Sequence, residues 1–508
     1  MVFNTDLTAN IQAIVPEALL VILGVIVLGI DLYSPESRRR YTGYWAGIGM
    51  FLIAALNLIV APTPAGGLED QLMLGGMLRH DEFTQIFRTM VYIAGGLTCL
   101  IAMGDERLRY KGEFYLIIIV ASIGAGLMGG AADLVMVFVA VETLSISLYA
   151  LAGFVRNDKL SAESGIKYFL LGSFASAFML YGFSLLYGFT GRTNIYEIGQ
   201  VLSAGAVTDP PIIVAMLLVI VGFGFKISAV PFHFWSPDVY EGSPTPMTAY
   251  VSVASKAASF AMLLRFFLAV FPPGELLPVG NVDYSELWVP TVALLAVVTM
   301  TLGNVLALVQ RNIKRMLAYS SIAQAGYALM GVAAIATTKG GDGAAAVAYY
   351  MFMYVLTNIL VFGCVIVFTN NTGSENIADM AGLGRRNMWL ALLMSVGLLS
   401  LAGIPPMSGF LGKFLIFRAA VDSDLEWLAV LGVVNAIIGL YYYLVVIKTM
   451  FFDPSADEDD PVPMSTNYVW ALGGSALGVI AVGTVLAQAV INWASDAGLS
   501  LLANIPPL

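Results

Sequence analysis

Apolar residues run through this chain in long blocks, with polar residues gathered into short gaps between them. A segment that crosses a bilayer needs ~20 mostly apolar residues, and on that measure the pattern predicts about fourteen spans. They lie near 11–32, 41–61, 83–103, 112–129, 132–154, 164–189, 211–230, 246–271, 286–309, 314–337, 343–369, 388–417, 427–450 and 467–493. The expected fold class is an all-α polytopic membrane protein. The longest gaps, 62–80, 190–210, 231–245 and 370–387, leave no room for a sizeable soluble domain.

One gap interrupts the pattern more than any other: Lys226-Ile-Ser-Ala-Val-Pro-Phe-His-Phe-Trp-Ser-Pro-Asp-Val-Tyr-Glu-Gly-Ser-Pro-Thr-Pro246. A lysine ends one apolar run, prolines then forbid regular helix, and the next run carries Lys256. A second interruption, Gly403-Ile-Pro-Pro-Met-Ser-Gly-Phe-Leu-Gly-Lys413, again joins proline to lysine. The two interruptions lie five spans apart. Five is odd, so the second unit is expected to be inverted relative to the first. Interrupted helices in corresponding places of inverted repeats point to the central site of a transporter.

Composition sharpens the membrane reading. The 508 residues are 59% hydrophobic and 11% charged, against roughly 25% charged in a soluble protein, and mean hydropathy is +0.84. The net charge of −10 says little about partners, because the charges sit in short loops on two sides. Alternate loops differ in basic content. One set includes Arg38–Arg40, Arg107, Arg156, Lys167, Arg311, Lys314 and Arg315; the other holds only Arg79, Arg192, Lys339 and Arg418. Positive charge marks the cytoplasmic side, so both termini are expected outside. The first apolar run lacks a basic leader and reads as a retained span rather than a signal peptide. Cys99 and Cys364 lie inside apolar runs without metal or redox spacing.

Charged residues at membrane depth are costly and usually functional. Glu142 falls mid-span, with Ser145 and Tyr149 on its face at i+3 and i+7; the nearest base by span order is Lys226. Lys256 is expected to share a polar stripe with Thr248, Ser252 and Ser259, a water wire or helix–helix glue. Asn304, Gln324, Tyr354, Thr357, Asn358, Asn435 and Tyr441–Tyr443 add polar atoms in later spans, and Lys413 ends the series. Burial disfavours an ammonium and a nearby carboxylate favours it, so a chain of such lysines can pass protons. His233, in the interruption, is either a relay or a hydrogen-bond partner for frayed backbone. His80 is expected in a solvated loop. Arg88 and Arg265 are expected to lie near span ends or to snorkel to the surface, in structural roles. No dinucleotide fingerprint, P-loop, iron–sulfur cysteine set or haem histidine pair is present, so no electron or nucleotide chemistry is expected in this chain.

The segment Phe225–Pro246, the string Val141-Glu-Thr-Leu-Ser-Ile-Ser-Leu-Tyr149 and the context Gly403–Lys413 together resemble the antiporter-like membrane subunits of complex I. Within these the Asp-Val-Tyr-Glu-Gly-Ser-Pro-Thr-Pro246 string resembles the N type, whereas the M type carries glutamate where Lys413 stands. The resemblance covers nearly the whole chain. It implies a three-helix segment 1–110, a first repeat 111–271 (spans 4–8), an inverted repeat 272–450 (spans 9–13) and a last helix within 451–508, with spans 7 and 12 broken. It implies a proton pathway of Glu142 paired with Lys226, connecting Lys256 and terminal Lys413, with Tyr149, His233, Ser252 and Asn358 as candidate relays. It places FMN, iron–sulfur clusters and quinone in other subunits, and makes the partners neighbouring membrane subunits in the cytoplasmic membrane. Two other readings compete: a subunit of a multi-subunit cation/proton antiporter, and a scaffold that only bridges pumping subunits. A scaffold has no reason to carry buried titratable side chains.

Overall fold

The computed structural model describes residues 4–60, 67–205, 209–277, 281–336, 340–454 and 460–503; Lys339, one of the sparse loop cations, lies outside them. The predicted apolar runs are helices. They are α1 Leu7–Tyr33, α2 Thr42–Ile59, α3 Glu82–Ala102, α4 Gly112–Gly130, α5 Leu134–Ala152 and α6 Lys159–Thr190. The interrupted region follows as α7 Asp209–Ile227, the short α8 Trp235–Gly242 and α9 Thr245–Val270. Then come α10 Ser285–Ala307, α11 Ile313–Ala333, α12 Gly340–Thr372, α13 Met388–Ala402, α14 Ser408–Val421, α15 Glu426–Phe452, α16 Thr466–Gly483 and α17 Ala487–Leu502. Among the described residues eleven helices are long and apolar enough to cross a membrane, and the pair α16–α17, bent by 77°, makes a twelfth. The chain is thus an all-α polytopic membrane protein.

Burial sorts the helices. The richest apolar stretch of α9 is wholly inside the protein, while α1, α6, α10 and α15 turn broad aliphatic faces outward. Lipid is as apolar as leucine, so such faces need no protein cover. Lys256 therefore lies on the most enclosed helix of the fold.

Three sequence expectations change here. His80 is not solvated: it is 2% exposed. The gap that holds it folds into an antiparallel hairpin, Leu72–Met73 with Leu78–Arg79, tucked under the C-terminal helix. Arg79 donates to the carbonyls of Ser500 and Ala503, both at 2.7 Å, and of Leu501 at 3.3 Å. These are carbonyls at the end of α17, which have no partner within their own helix. Arg88 and Arg265 do not snorkel either, since both are buried. Arg88 Nε lies 2.8 Å from Glu17 Oε1, and Arg265 clasps Asp81 through Nη1 at 3.0 Å and Nη2 at 2.8 Å. A charge that cannot reach water must be paired; the structural role holds, by ion pairing rather than by reaching the surface.

Candidate functional site

The first interruption is a helix end inside the fold. α7 stops at Ile227, Ser228 takes a left-handed φ of 61°, and Val230–Pro231 is a cis peptide. Two contacts fix the exposed backbone: Trp235 Nε1 donates to the Phe225 carbonyl at 3.0 Å, and the Val230 amide donates to Thr299 Oγ1 at 3.0 Å. Lys226 sits in the last turn of α7, where a cation suits the negative end of the helix dipole. It is 3% exposed.

Lys226 Nζ donates to Ser145 Oγ and, at 3.5 Å, to the Tyr149 hydroxyl. Ser145 in turn donates to the Val141 carbonyl. Glu142 is half-buried on the same face of α5, and its Oε1 accepts from Ser176 Oγ of α6 at 2.5 Å. The expected face of Glu142, Ser145 and Tyr149 is therefore real. The expected direct Glu142–Lys226 pair does not form among the described residues: the ammonium meets Ser145 one turn along, and Ser176 occupies the carboxylate. α6 comes this close because residue 172 is glycine. A Cβ there would collide with the Tyr149 hydroxyl.

Lys256 follows a π-helical turn, Val251–Ser255. Such turns insert a residue into the helical register and recur at functional sites. The extra residue disrupts the stripe expected from 3.6-residue spacing. Thr248 Oγ1 turns to the Tyr240 and Pro244 carbonyls, and Ser252 Oγ to the Ala249 carbonyl at 2.7 Å. Lys256 instead reaches across to α11, donating to the Ser321 carbonyl at 2.5 Å and to Ser321 Oγ at 2.6 Å. Ser321 Oγ also receives the Tyr354 hydroxyl at 2.7 Å and lies 3.2 Å from the Tyr240 hydroxyl. Asn358 joins only at one remove, donating to the Tyr354 carbonyl at 3.2 Å.

The second interruption mirrors the first in logic. α13 ends at Ala402, Gly403 adopts φ of 83°, and Pro405–Pro406 is cis. Lys413 lies in α14, yet its Nζ reaches back to the freed carbonyls of Leu401 at 2.9 Å and Ala402 at 3.1 Å. Both broken-helix lysines therefore meet the C-terminal end of the first half-helix, although one precedes its break in sequence and the other follows. The Leu401 carbonyl also accepts from Gln324 Nε2 at 3.1 Å, and Gln324 Nε2 lies 3.1 Å from the Tyr443 hydroxyl. Tyr443 bonds Ser320, and Tyr350 bonds Gln324 Oε1. A chain of hydrogen bonds thus runs from Lys413 through the Leu401 carbonyl, Gln324 and Tyr443 to Ser320, the sequence neighbour of Ser321, which holds Lys256.

His233 is not brought into this chain. It is buried, its ring packs 4.5 Å from Phe234, and its Nδ1 has no partner among the described residues. Sequence reasoning missed Ser176, Tyr240, Ser320, Ser321 and Tyr350. Ser320 and Gln324 are one turn apart on α11, a polar pair in an apolar helix that was available as a signal. No group of His, Cys, Asp and Glu fit to hold a metal occurs among the described residues.

This geometry can be set beside known proteins. Residues 131–439 match the family model described as NADH:quinone oxidoreductase/Mrp antiporter, transmembrane. The chain is 41% identical over 497 residues to NADH-quinone oxidoreductase subunit N of Trichlorobacter lovleyi, covering 96% of this chain and 97% of that one. A chain of respiratory complex I from Thermus thermophilus superposes with a TM-score of 0.75 at 31% identity, covering 94% of this chain and 99% of that one. A chain of the Mrp complex from Dietzia sp. reaches a TM-score of 0.80, covering 98% of each chain, but at 20% identity this likeness is of fold alone. With near-complete coverage of a relative at that identity, this chain belongs to the subunit N family of NADH–quinone oxidoreductases.

Proposed function

We propose that this chain is a proton-translocating membrane subunit of a respiratory NADH–quinone oxidoreductase. Electrons pass from NADH through FMN and iron–sulfur centres to quinone in other subunits, and the energy released moves protons here. The observation that carries the reading is the set of three enclosed lysines, two at helix breaks and one at a π turn, with hydrogen-bonding groups leading from Lys413 to Ser320, next in sequence to the Ser321 that holds Lys256. Membrane-depth ammonium groups are expensive, and packing alone does not call for three.

Glu142, Lys226, Lys256 and Lys413 form the pathway in this reading. Glu142 and Lys226 influence each other through space, by charge, rather than by touching. When the neighbouring complex displaces the carboxylate, Lys226 gives up or takes a proton, and Lys256 and Lys413 respond in turn. Tyr149 and Ser321 hold the ammonium groups; Ser252 and Asn358 shape the helices beside them; His233 relays only if the interruption moves. Counting α11 as a span, and α13 with α14 as one broken span, brings the total to fourteen. The arrangement we favour is an N-terminal segment 1–110, inverted repeats 111–271 and 272–450, and a last helix in 451–508. The basic loops support a cytoplasmic-membrane orientation with both termini outside.

The test is a gentle affinity purification of the tagged subunit from native membranes. FMN, iron–sulfur signals and NADH-driven quinone reduction should co-purify, and Lys226→Ala and Lys413→Ala should abolish pumping in the assembled complex. Cation/proton exchange without NADH, with only membrane subunits attached, would replace this reading with the antiporter one. Full pumping by both lysine variants would leave a scaffold.

A further inference from the structure

The helices α4 and α5 pack closely in their middle. A Cβ on Gly124 would lie 2.6 Å from the Leu144 nitrogen and 2.8 Å from the Ala140 carbonyl oxygen, so the two backbones meet there. Toward the Lys/Arg-rich loops they leave a cavity of about 600 Å³. Its polar wall carries Arg107, Lys111 and Arg156 against one carboxylate, Glu113, and its apolar wall includes Ile117 and Ala150. None of the three pathway lysines is among its lining residues.

The three cations are not alike. Arg107 is committed to Asp105, through Nε at 3.1 Å and Nη2 at 2.9 Å, with Asp158 3.9 Å from its Nη1. Lys111 and Arg156 are exposed, and among the described residues neither side chain forms an ion pair or a hydrogen bond. With Arg107 neutralised by Asp105, Lys111 and Arg156 stand against Glu113 for a net charge of +1. A singly charged phosphodiester balances that, and a guanidinium matches its oxygens in geometry. The apolar wall continues into the membrane. One turn deeper, Val120 on α4 and Ile146 on α5 extend the faces of Ile117 and Ala150, and both are exposed. A free anion would use the polar wall alone; a diacyl lipid uses both walls.

We propose that this cavity binds an anionic glycerophospholipid, with the phosphodiester between Lys111 and Arg156 and an acyl chain along Ile117, Val120, Ala150 and Ile146. The site goes beyond the proposed function and does not depend on it. Basic pockets between spans favour anionic headgroups by about fivefold for each cation, so about 25-fold for the two. The probe is phosphatidylglycerol carrying a diazirine in the upper part of one acyl chain. It is added to the assembled complex in phosphatidylcholine nanodiscs, irradiated, and the labelled peptides are mapped by mass spectrometry. Phosphatidylcholine with the same diazirine is the neutral comparison, and the exposed Leu444 of α15, toward the same side, is the reference for bulk lipid.

Phosphatidylglycerol should label the 113–123 and 143–150 stretches at least about fivefold more than phosphatidylcholine does, relative to Leu444. Lys111→Gln with Arg156→Gln should remove that preference and leave the labelling at Leu444 unchanged. Excess inorganic phosphate, matched in ionic strength with chloride, should not compete; competition would assign the site to a free anion and overturn the proposal. Equal labelling by the two lipids overturns it, and so does a preference that survives the double substitution. Absence of label from both stretches overturns it as well, because a neighbouring subunit then covers the cavity. If the double variant does not assemble, the comparison of the two lipids on the wild-type complex decides.

Discussion

Replacing Asp81 by asparagine removes one charge from a closed cluster without changing its shape. Asp81 is fully buried just before α3 and serves Arg265, Arg79 and Thr84 at once. Its Oδ1 also caps α3, accepting the Thr84 amide at 2.8 Å. Asparagine caps about as well as aspartate, so the cap contribution cancels and the electrostatic one remains. Burial alone would raise this carboxyl, but the guanidinium groups of Arg265 and Arg79 overcome it and hold the group at about 2, against an ordinary 3.8. That difference corresponds to roughly 2–3 kcal/mol. Breaking a buried pair by removing one partner costs about 3–5 kcal/mol by comparison with other proteins. A loss of about 3 kcal/mol is the working figure.

The readout is hydrogen exchange in nanodiscs over the hairpin 72–81 and the end of α17, because Arg79 ties the two together. Local opening that is easier by about 3 kcal/mol speeds exchange roughly 150-fold. The sign with pH is fixed by a depressed carboxyl: its contribution is complete above about pH 4 and disappears as pH falls through about 2. The gap between wild type and Asp81→Asn should therefore be constant from about pH 5 to 8 and close on acidification. Exchange within about threefold of wild type at about pH 7 would refute the reasoning, because the two arginines would then be stable without their anion.

Other perturbations test the lysine sites. Gly172→Ala drives a Cβ into the Tyr149 hydroxyl; we expect pumping to fall several-fold while NADH oxidation by an artificial acceptor is retained, and unchanged pumping would mean that Tyr149 does not position Lys226. Ser321→Ala removes the hydroxyl that Lys256, Tyr354 and Tyr240 share; a hydrogen bond to a charged group is worth about 1.5–3 kcal/mol, so pumping should drop by an order of magnitude or more, with rescue by Ser321→Thr. Gly403→Ala combines a left-handed φ of 83° with a Cβ 3.0 Å from Lys413 Cδ; the complex should assemble in lower yield and pump poorly, as read by native electrophoresis and vesicle acidification. Cys99 and Cys364 should resist thiol reagents in the folded complex and react only after denaturation, followed by mass spectrometry.

Much of this was legible in the sequence because membrane insertion punishes polar residues. Glu142, Lys226, Lys256 and Lys413 stand out for that reason alone, and proline marks where α7 and α13 end. The partners of these groups were not legible. Ser321 lies 65 residues from Lys256, and helical periodicity tells which residues share a face but not which helix that face meets. The π turn at Val251–Ser255 has no signature in letters, and it moved Lys256 off the stripe that regular spacing predicts. His80 was misjudged because a gap between spans reads as solvated loop; the closing of α17 over the hairpin is a long-range event that composition does not record.

The three lysines differ in what holds them, and the difference bears on how one informs the next. Lys226 is held by hydroxyls, which can rotate and either accept or donate. Lys413 is held by two main-chain carbonyls, which can only accept and which belong to a helix end that needs a donor. On the proposed pathway, loss of a proton near Lys226 would be absorbed locally, by turning Ser145 and Tyr149. A proton change at Lys413 alters the bond to the Leu401 carbonyl, which Gln324 shares, and Gln324 is bonded in turn to Tyr443 and so to Ser320. Ser320 is the chain neighbour of Ser321, the group that grips Lys256. On the proposed pathway the state of the last lysine would reach the central one through α11, and Gln324→Leu should uncouple them: both lysines would remain buried and in place, while proton pumping in vesicles is lost.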